Sequence, residues 1–307
     1  MSKLLPLFSV VIPTYNCLPF LRRAIQSVLL QTEQNFEILI IDNTSEDGTK
    51  DYLNGLKDSR IHSIEVQNYG VIAFSRNVGI KNAKGSWVCF LDADDWWTSD
   101  KLQACFDCIN DKVDLIYHSL NIVSDTSLIF KRKAINSWQV KTPVFKDLIL
   151  KGNAIPNSSV VIRKSLLEKI GGINESKKMI AAEDYNTWLR VAQLTNNFVY
   201  LRSRHGYYLS HNKGVSKQDM SIPYKESISE FMDSLSCQDR DIVDSNAAFI
   251  SGRYHYHEKE YNTALKMILK SLTTGKGGFK FRAFLLLILI ILKKLIILLT
   301  YKKPFVN

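Results

Sequence analysis

The chain has 307 residues, enough for one large domain or two with ample core. Its formal net charge is +10, but nine basic residues and no acidic one lie between Tyr261 and Asn307. Setting those nine aside leaves the first 260 residues near +1. That excludes a broadly basic nucleic-acid binder, and basic charge beside apolar sequence points to an anionic membrane surface.

The first strand is expected at Phe8–Ile12, so Met1–Pro6 leaves no room for a signal peptide. Phe20, Leu21, Ala24, Ile25, Val28 and Leu29 mark one face of a helix, with Asn16 as its N-cap. Phe36–Ile41 reads as a second strand, followed by a short helix near Thr49–Leu56. Ile61–Val66 is a third strand, Val71–Ala83 a helix and Trp87–Leu91 a fourth strand. Buried strands alternating with helices predict an α/β fold with a mostly parallel sheet. Asp114–Tyr117 and Ser159–Ile162 read as further strands, Asp184–Leu194 as a helix and Tyr207–Ser210 as a last strand. Beyond Ser221 the pattern is helical. Tyr254–Leu272 resembles a helix-turn-helix unit of the repeat type, without a second copy.

Ala283–Leu292 is an unbroken apolar run, and Leu295–Leu299 continues it after Lys293 and Lys294. As a helix, Phe279–Tyr301 reaches about 35 Å at ~1.5 Å per residue. Two central lysines oppose insertion by roughly 2.5–3.5 kcal/mol each, against about 0.3–0.6 gained per large apolar residue. The balance favours a helix lying in the membrane interface with snorkelling lysines over a span or a core helix.

The four-residue stretch Asp92-Ala93-Asp94-Asp95 closes the fourth strand with three carboxylates. Like charges this close repel unless a cation sits among them, and hard divalent cations prefer carboxylate oxygens. A metal–diphosphate site at a strand end follows, with a solvated acidic loop as the alternative. Trp97 stands where an EF-hand needs glycine. Cys17, Cys89, Cys105, Cys108 and Cys237 form no paired framework, and the lone Cys105/Cys108 pair argues against structural zinc. No glycine-rich phosphate cradle follows the first strand, which runs into Pro13-Thr14-Tyr15.

Four segments together resemble the inverting family-two glycosyltransferases of the GT-A fold. They are Phe8–Asn16, Ile41–Thr49, Ser75–Gly79 and Leu91–Asp95; Ala182-Glu183-Asp184 and His211 with Ser216 follow later. The departures are Asn43 and Thr44, where the family more often has Asp and Gly. Asn68–Ala73 and Asp94–Trp97 resemble the bacterial O-antigen β-1,3-glucosyltransferases in particular. The processive synthases' Q-x-x-R-W motif is missing from the chain, which favours single addition.

The resemblance implies a Rossmann-like GT-A domain over residues 1–220, while the helical pattern gives an extension over 221–278 and the basic apolar run a membrane-associating tail over 279–307. It implies that Pro13, Thr14, Tyr15 and Asp42 contact the base and ribose, with Arg76 near the base or diphosphate. Asp92 would lie near the ribose and metal, Asp94 would ligate Mn²⁺ or Mg²⁺, and His211 would meet the diphosphate or metal, with Lys213 nearby. Asp184 is the expected base, with Glu183 binding the acceptor or positioning that base. Trp96 and Trp97 offer a wall for a sugar ring, with core packing as the alternative. The implied donor is a UDP-sugar, with glucose first and galactose or an N-acetylhexosamine as alternatives. The implied acceptor is an undecaprenyl-diphosphate-linked sugar at the cytoplasmic face of a bacterial inner membrane, in O-antigen synthesis, with a capsule intermediate as the alternative. The contrasting class is a non-catalytic membrane-bound scaffold.

Overall fold

The apolar runs of the first half become neighbouring strands because each is buried on both faces and needs cover from helices on either side. The computed structural model describes residues 5–124, 134–210, 218–274 and 277–301. The chain forms two units, one of residues 1–148 and 153–214, the other of residues 149–152 and 215–307.

In chain order the first unit runs β1 (Phe8–Thr14), α1 (Leu18–Leu29), β2 (Phe36–Asp42), α2 (Thr49–Asn54), β3 (Ile61–Glu65), α3 (Ile72–Asn82), β4 (Trp87–Phe90), β5 (Trp96–Trp97), α4 (Lys101–Phe106), β6 (Leu115–His118), β7 (Leu120–Ser124) and β8 (Ala134–Ile135). It continues with α5 (Val144–Lys151), which ends in the second unit, then β9 (Val161–Arg163), α6 (Lys164–Lys169), α7 (Glu183–Leu194), β10 (Phe198–Leu201) and β11 (Gly206–Ser210). The main sheet has the order β10-β6-β9-β4-β1-β2-β3. Its pairings are parallel except those of β9, which runs antiparallel to both β4 and β6. The α/β expectation therefore holds.

Register decides what meets at one end of this sheet. Thr14 pairs with Asp42, and Leu91 N donates to Val11 O at 3.1 Å. The carboxyl ends of β1, β2 and β4 thus lie side by side, where open α/β sheets bind ligands. Because β9 runs the other way, the 3-10 turn before it, Asn157–Ser159, arrives beside the acidic end of β4. A smaller sheet, β5-β11-β7-β8, starts directly after the acidic run.

Asn16 is not the cap of α1. Its backbone is left-handed (φ 45°), and its Oδ1 accepts from Glu46 N at 2.8 Å. The first-turn N–H of Leu18 instead donates to Asp47 Oδ2 at 2.8 Å, so the β2–α2 loop caps α1.

The second unit holds α8 (Ser221–Ile228), α9 (Cys237–His257), α10 (Tyr261–Thr274) and α11 (Gly277–Tyr301). Phe249, Ala264, Ile268, Ala283, Leu286 and Ile290 form its small core. Among the described residues no helix is long and apolar enough to cross a membrane.

Gly79 sets the approach of α3 to β1. A Cβ there would stand 2.3 Å from Val11 Cγ1 and 2.9 Å from Cγ2. Gly79→Ala is expected to destabilise the protein by about 1–3 kcal/mol through overpacking. An unchanged urea midpoint would contradict this packing argument.

Candidate active site

The ends of β1 and β2 are locked together before any ligand arrives. Asn43 N donates to Thr14 O, and Val66 N donates to Asp42 O. The Asp42 carboxylate accepts from the Ser45 hydroxyl and is itself buried. Asn43 Oδ1 accepts from Asn68 N at 2.7 Å, which gives this departure from the family pattern a structural use. Pro13 is buried within β1, and the Thr14 hydroxyl is buried with no hydrogen-bond partner among the described residues. Tyr15 is 59% exposed, so its ring lies open to solvent beside that end.

At the end of β4 each acidic residue has a different environment. Asp92 Oδ1 accepts from Arg76 Nη2 at 2.6 Å and from Asn157 Nδ2 at 3.1 Å. Asp92 N donates to Ser158 Oγ at 3.1 Å. Asp94 is half-buried, and its backbone carbonyl accepts from Arg23 Nη2 at 3.0 Å. Asp95 is buried, and its Oδ1 accepts from Leu209 N at 3.1 Å. Burial, then the Asp92 and Asp94 charges, push the Asp95 carboxyl well above the usual range. Asp95 therefore ties β11 to the acidic turn.

Neither tryptophan offers a free face to a sugar. The Arg23 guanidinium covers one face of Trp96, 3.5 Å from its ring centroid, and Tyr207 stacks on the ring with centroids 5.0 Å apart. Trp97 is buried, donates from Nε1 to Ser158 O at 2.7 Å and carries Lys101 Nζ over its ring at 3.7 Å. Both rings brace the acidic turn, as the packing alternative has it.

Arg76 joins this turn to the start of α7. Its Nη1 donates to Glu183 Oε1 at 2.6 Å while Nη2 holds Asp92. Burial works against the charged guanidinium, but the Asp92 and Glu183 carboxylates outweigh it and raise its pKa. Glu183 is buried, and its Oε2 has no hydrogen-bond partner among the described residues. Among the described residues no arginine bonds Asp184; Asn153 Nδ2 donates to its Oδ2 at 3.2 Å. Burial, then the Glu183 charge, push the Asp184 carboxyl up to about 7. Two adjacent carboxylates thus differ in environment: Glu183 is bonded to the Arg76 guanidinium, and the Asp184 carboxyl is pushed up toward neutrality.

The donor chemistry suits a hard divalent cation. Asp94 supplies a carboxylate, and both side-chain contacts of Asp92 fall on Oδ1. Among the described residues no three His, Cys, Asp or Glu side chains group as a metal site. A cation held here would need its remaining ligands from outside these side chains, as Mg²⁺ sites commonly draw on phosphate and water. His211, Lys213 and Ser216 lie outside the described residues.

The structure brings Arg76, Asp92, Glu183 and Asp184 into one network, with Thr14 and Asp42 at the adjoining strand ends. Sequence reasoning missed Arg23, Asn153, Asn157 and Ser158. For Asn157-Ser158-Ser159 the available signal was a polar triplet directly before a buried strand.

The glycosyl transferase family 2 model matches residues 9–171. The chain is 32% identical over 188 residues to the Escherichia coli UDP-Glc:alpha-D-GlcNAc-diphosphoundecaprenol beta-1,3-glucosyltransferase WfaP, covering 60% of this chain and 70% of that one. The Staphylococcus aureus TarS structure with UDP-GlcNAc shares the fold, with a TM-score of 0.63 and 19% identity, over 88% of this chain and 81% of that one. The Pyrobaculum calidifontis mannosyltransferase PcManGT, solved with GDP-Man and Mn²⁺, has a TM-score of 0.58 at 16% identity, over 95% and 81%. The central domain is thus of the GT-A type.

As the proposed base, Asp184 must be ionised to accept a proton, so its raised pKa places the expected loss of activity on the acid side. Transfer should be full above a pH of about 7 and fall as pH drops through it, by roughly ten-fold per unit. A rate that stays level between about pH 5 and pH 8 would remove Asp184 from the base role.

Proposed function

Because this chain belongs to glycosyl transferase family 2, we propose that it transfers a hexose, best glucose, from a UDP-sugar to a HexNAc-diphosphate-undecaprenol acceptor. The linkage is β-1,3, the anomeric centre inverts, and the step belongs to O-antigen synthesis. The observation that carries this reading is the Arg76 bridge, which sets a poised Asp184 against the acidic end of β4. Similarity to WfaP supports the choice of donor and acceptor.

In this reading Pro13, Thr14, Tyr15 and Asp42 hold the base and ribose. The unpartnered Thr14 hydroxyl supports that role, since buried polar groups are normally hydrogen-bonded. Mn²⁺ or Mg²⁺ held by Asp94, with Asp92 beside it, would neutralise charge developing on the departing diphosphate. Arg76 keeps Asp92 and Glu183 in place, and His211 would contact the diphosphate or the metal. Asp184 accepts the proton of the attacking hydroxyl, a contribution of typically ~10²–10⁴-fold. Glu183, with one oxygen committed to Arg76, presents the other to the acceptor. A lipid-linked acceptor places the enzyme at the cytoplasmic surface of an inner membrane.

The test combines purified full chain, Mn²⁺, a panel of UDP-sugars and a synthetic GlcNAc-diphosphate-lipid, with product mass as the readout. Addition of a hexose from UDP-glucose is expected. Asp94→Ala should lower turnover by about 100-fold or more, because a bound cation supplies several kcal/mol of charge stabilisation. Turnover that survives EDTA would end the metal role. UDP binding without transfer from any donor would overturn the acceptor choice. Absence of UDP binding as well would favour the non-catalytic scaffold.

A further inference from the structure

Helix α11 uses two faces differently. Ala283, Leu286 and Ile290 are buried in the small core with Phe249, Ala264 and Ile268 of α9 and α10. Phe281, Phe284, Leu285, Ile288, Leu292 and Leu295 are all exposed, between 41% and 64%. At 3.6 residues per turn, or about 100° per residue, these six fall on the side opposite the packed stripe. The same arithmetic puts Lys280 on one flank of the apolar face and Arg282 and Lys293 on the other. All three are exposed. Lys294 falls on the packed side, where its Nζ donates to Asn262 Oδ1 of α10 at 2.8 Å.

We propose that α11 is an in-plane anchor that seats the second unit on an anionic lipid bilayer. The apolar face enters the boundary between headgroups and acyl chains, and the flanking cations reach lipid phosphates by snorkelling. A second copy of this chain fits the same face poorly. From Tyr261 onward no acidic side chain is available, so two apposed faces would bring Lys280, Arg282 and Lys293 against their own copies. Crossing the bilayer is also opposed, because α11 is packed along one side against α9 and α10, and α10 exposes Asn262, Lys266 and Lys270. The proposal rests on the lipid-linked acceptor reading for its biological sense. Vesicle binding is measured without donor or acceptor, so its failure would leave the transfer reaction standing.

The experiment is flotation of the full chain, bearing a C-terminal tag, with preformed vesicles. Binding is expected to mixed phosphatidylcholine–phosphatidylglycerol vesicles and to be weak with phosphatidylcholine alone. Replacing Lys280, Arg282 and Lys293 together by Glu should weaken binding by about 100-fold or more, since each basic group near an anionic surface is worth about five-fold. Leu285→Glu with Leu292→Glu should abolish binding while leaving the circular dichroism spectrum unchanged, because both side chains are exposed. The tag should remain open to external protease. Protection of the tag would mean a span and overturn the in-plane arrangement. Equal binding to neutral vesicles would overturn the anionic requirement. A stable dimer without vesicle binding would assign the face to a second copy instead.

Discussion

A buried guanidinium shared by two carboxylates is the interaction on which this site depends. Arg76 joins Asp92, sixteen residues on, to Glu183, 107 residues on. One side chain thus spans β4, α3 and α7 and fixes their distances. Removing one member of such a buried network leaves an unpaired charge, a loss of about 3–5 kcal/mol. The same bond partitions the two acids that open α7. Glu183 is held by the arginine, and Asp184, next to that negative charge and partly out of water, is left able to accept a proton near neutral pH.

The position of Arg76 is in turn a consequence of backbone packing. Gly79, one turn further along α3, lets the helix close on Val11 of β1. The acidic turn is braced from several sides: Arg23 at the Asp94 carbonyl, Ser158 at the Asp92 amide and Leu209 N at Asp95. The stacked Arg23–Trp96–Tyr207 sandwich adds a rigid wall behind it. Three neighbouring carboxylates repel each other, so a turn that presents them must be held by groups outside itself.

Much of the main sheet was legible because β1, β2 and β4 are short apolar runs buried on both faces. The acidic run announced its own chemistry, and the family resemblance supplied Arg76, Glu183 and Asp184 as candidates. What the sequence hid depends on direction and register. Asn157 and Ser158 reach Asp92 only because β9 runs antiparallel. Arg23 reads as a solvated helix residue until α1 is laid across β5. Asn16 has the composition of a cap, yet Asp47 from another loop does that work. The elements β7, β8 and β10 and the short helices α5 and α6 fell below what periodicity can resolve. The tail's two lysines looked alike, but Asn262 holds one and leaves the other at the edge of the apolar face.

The central claim is the proposal that Asp184, set beside the Arg76–Glu183 bridge, acts as base in a single displacement. The most direct measurement is the anomeric configuration of the newly transferred sugar, read by NMR on product made from an α-linked UDP-sugar. The account predicts a β-linked product, formed with inversion. A retained α linkage would contradict it, because retention requires chemistry other than one base-assisted displacement.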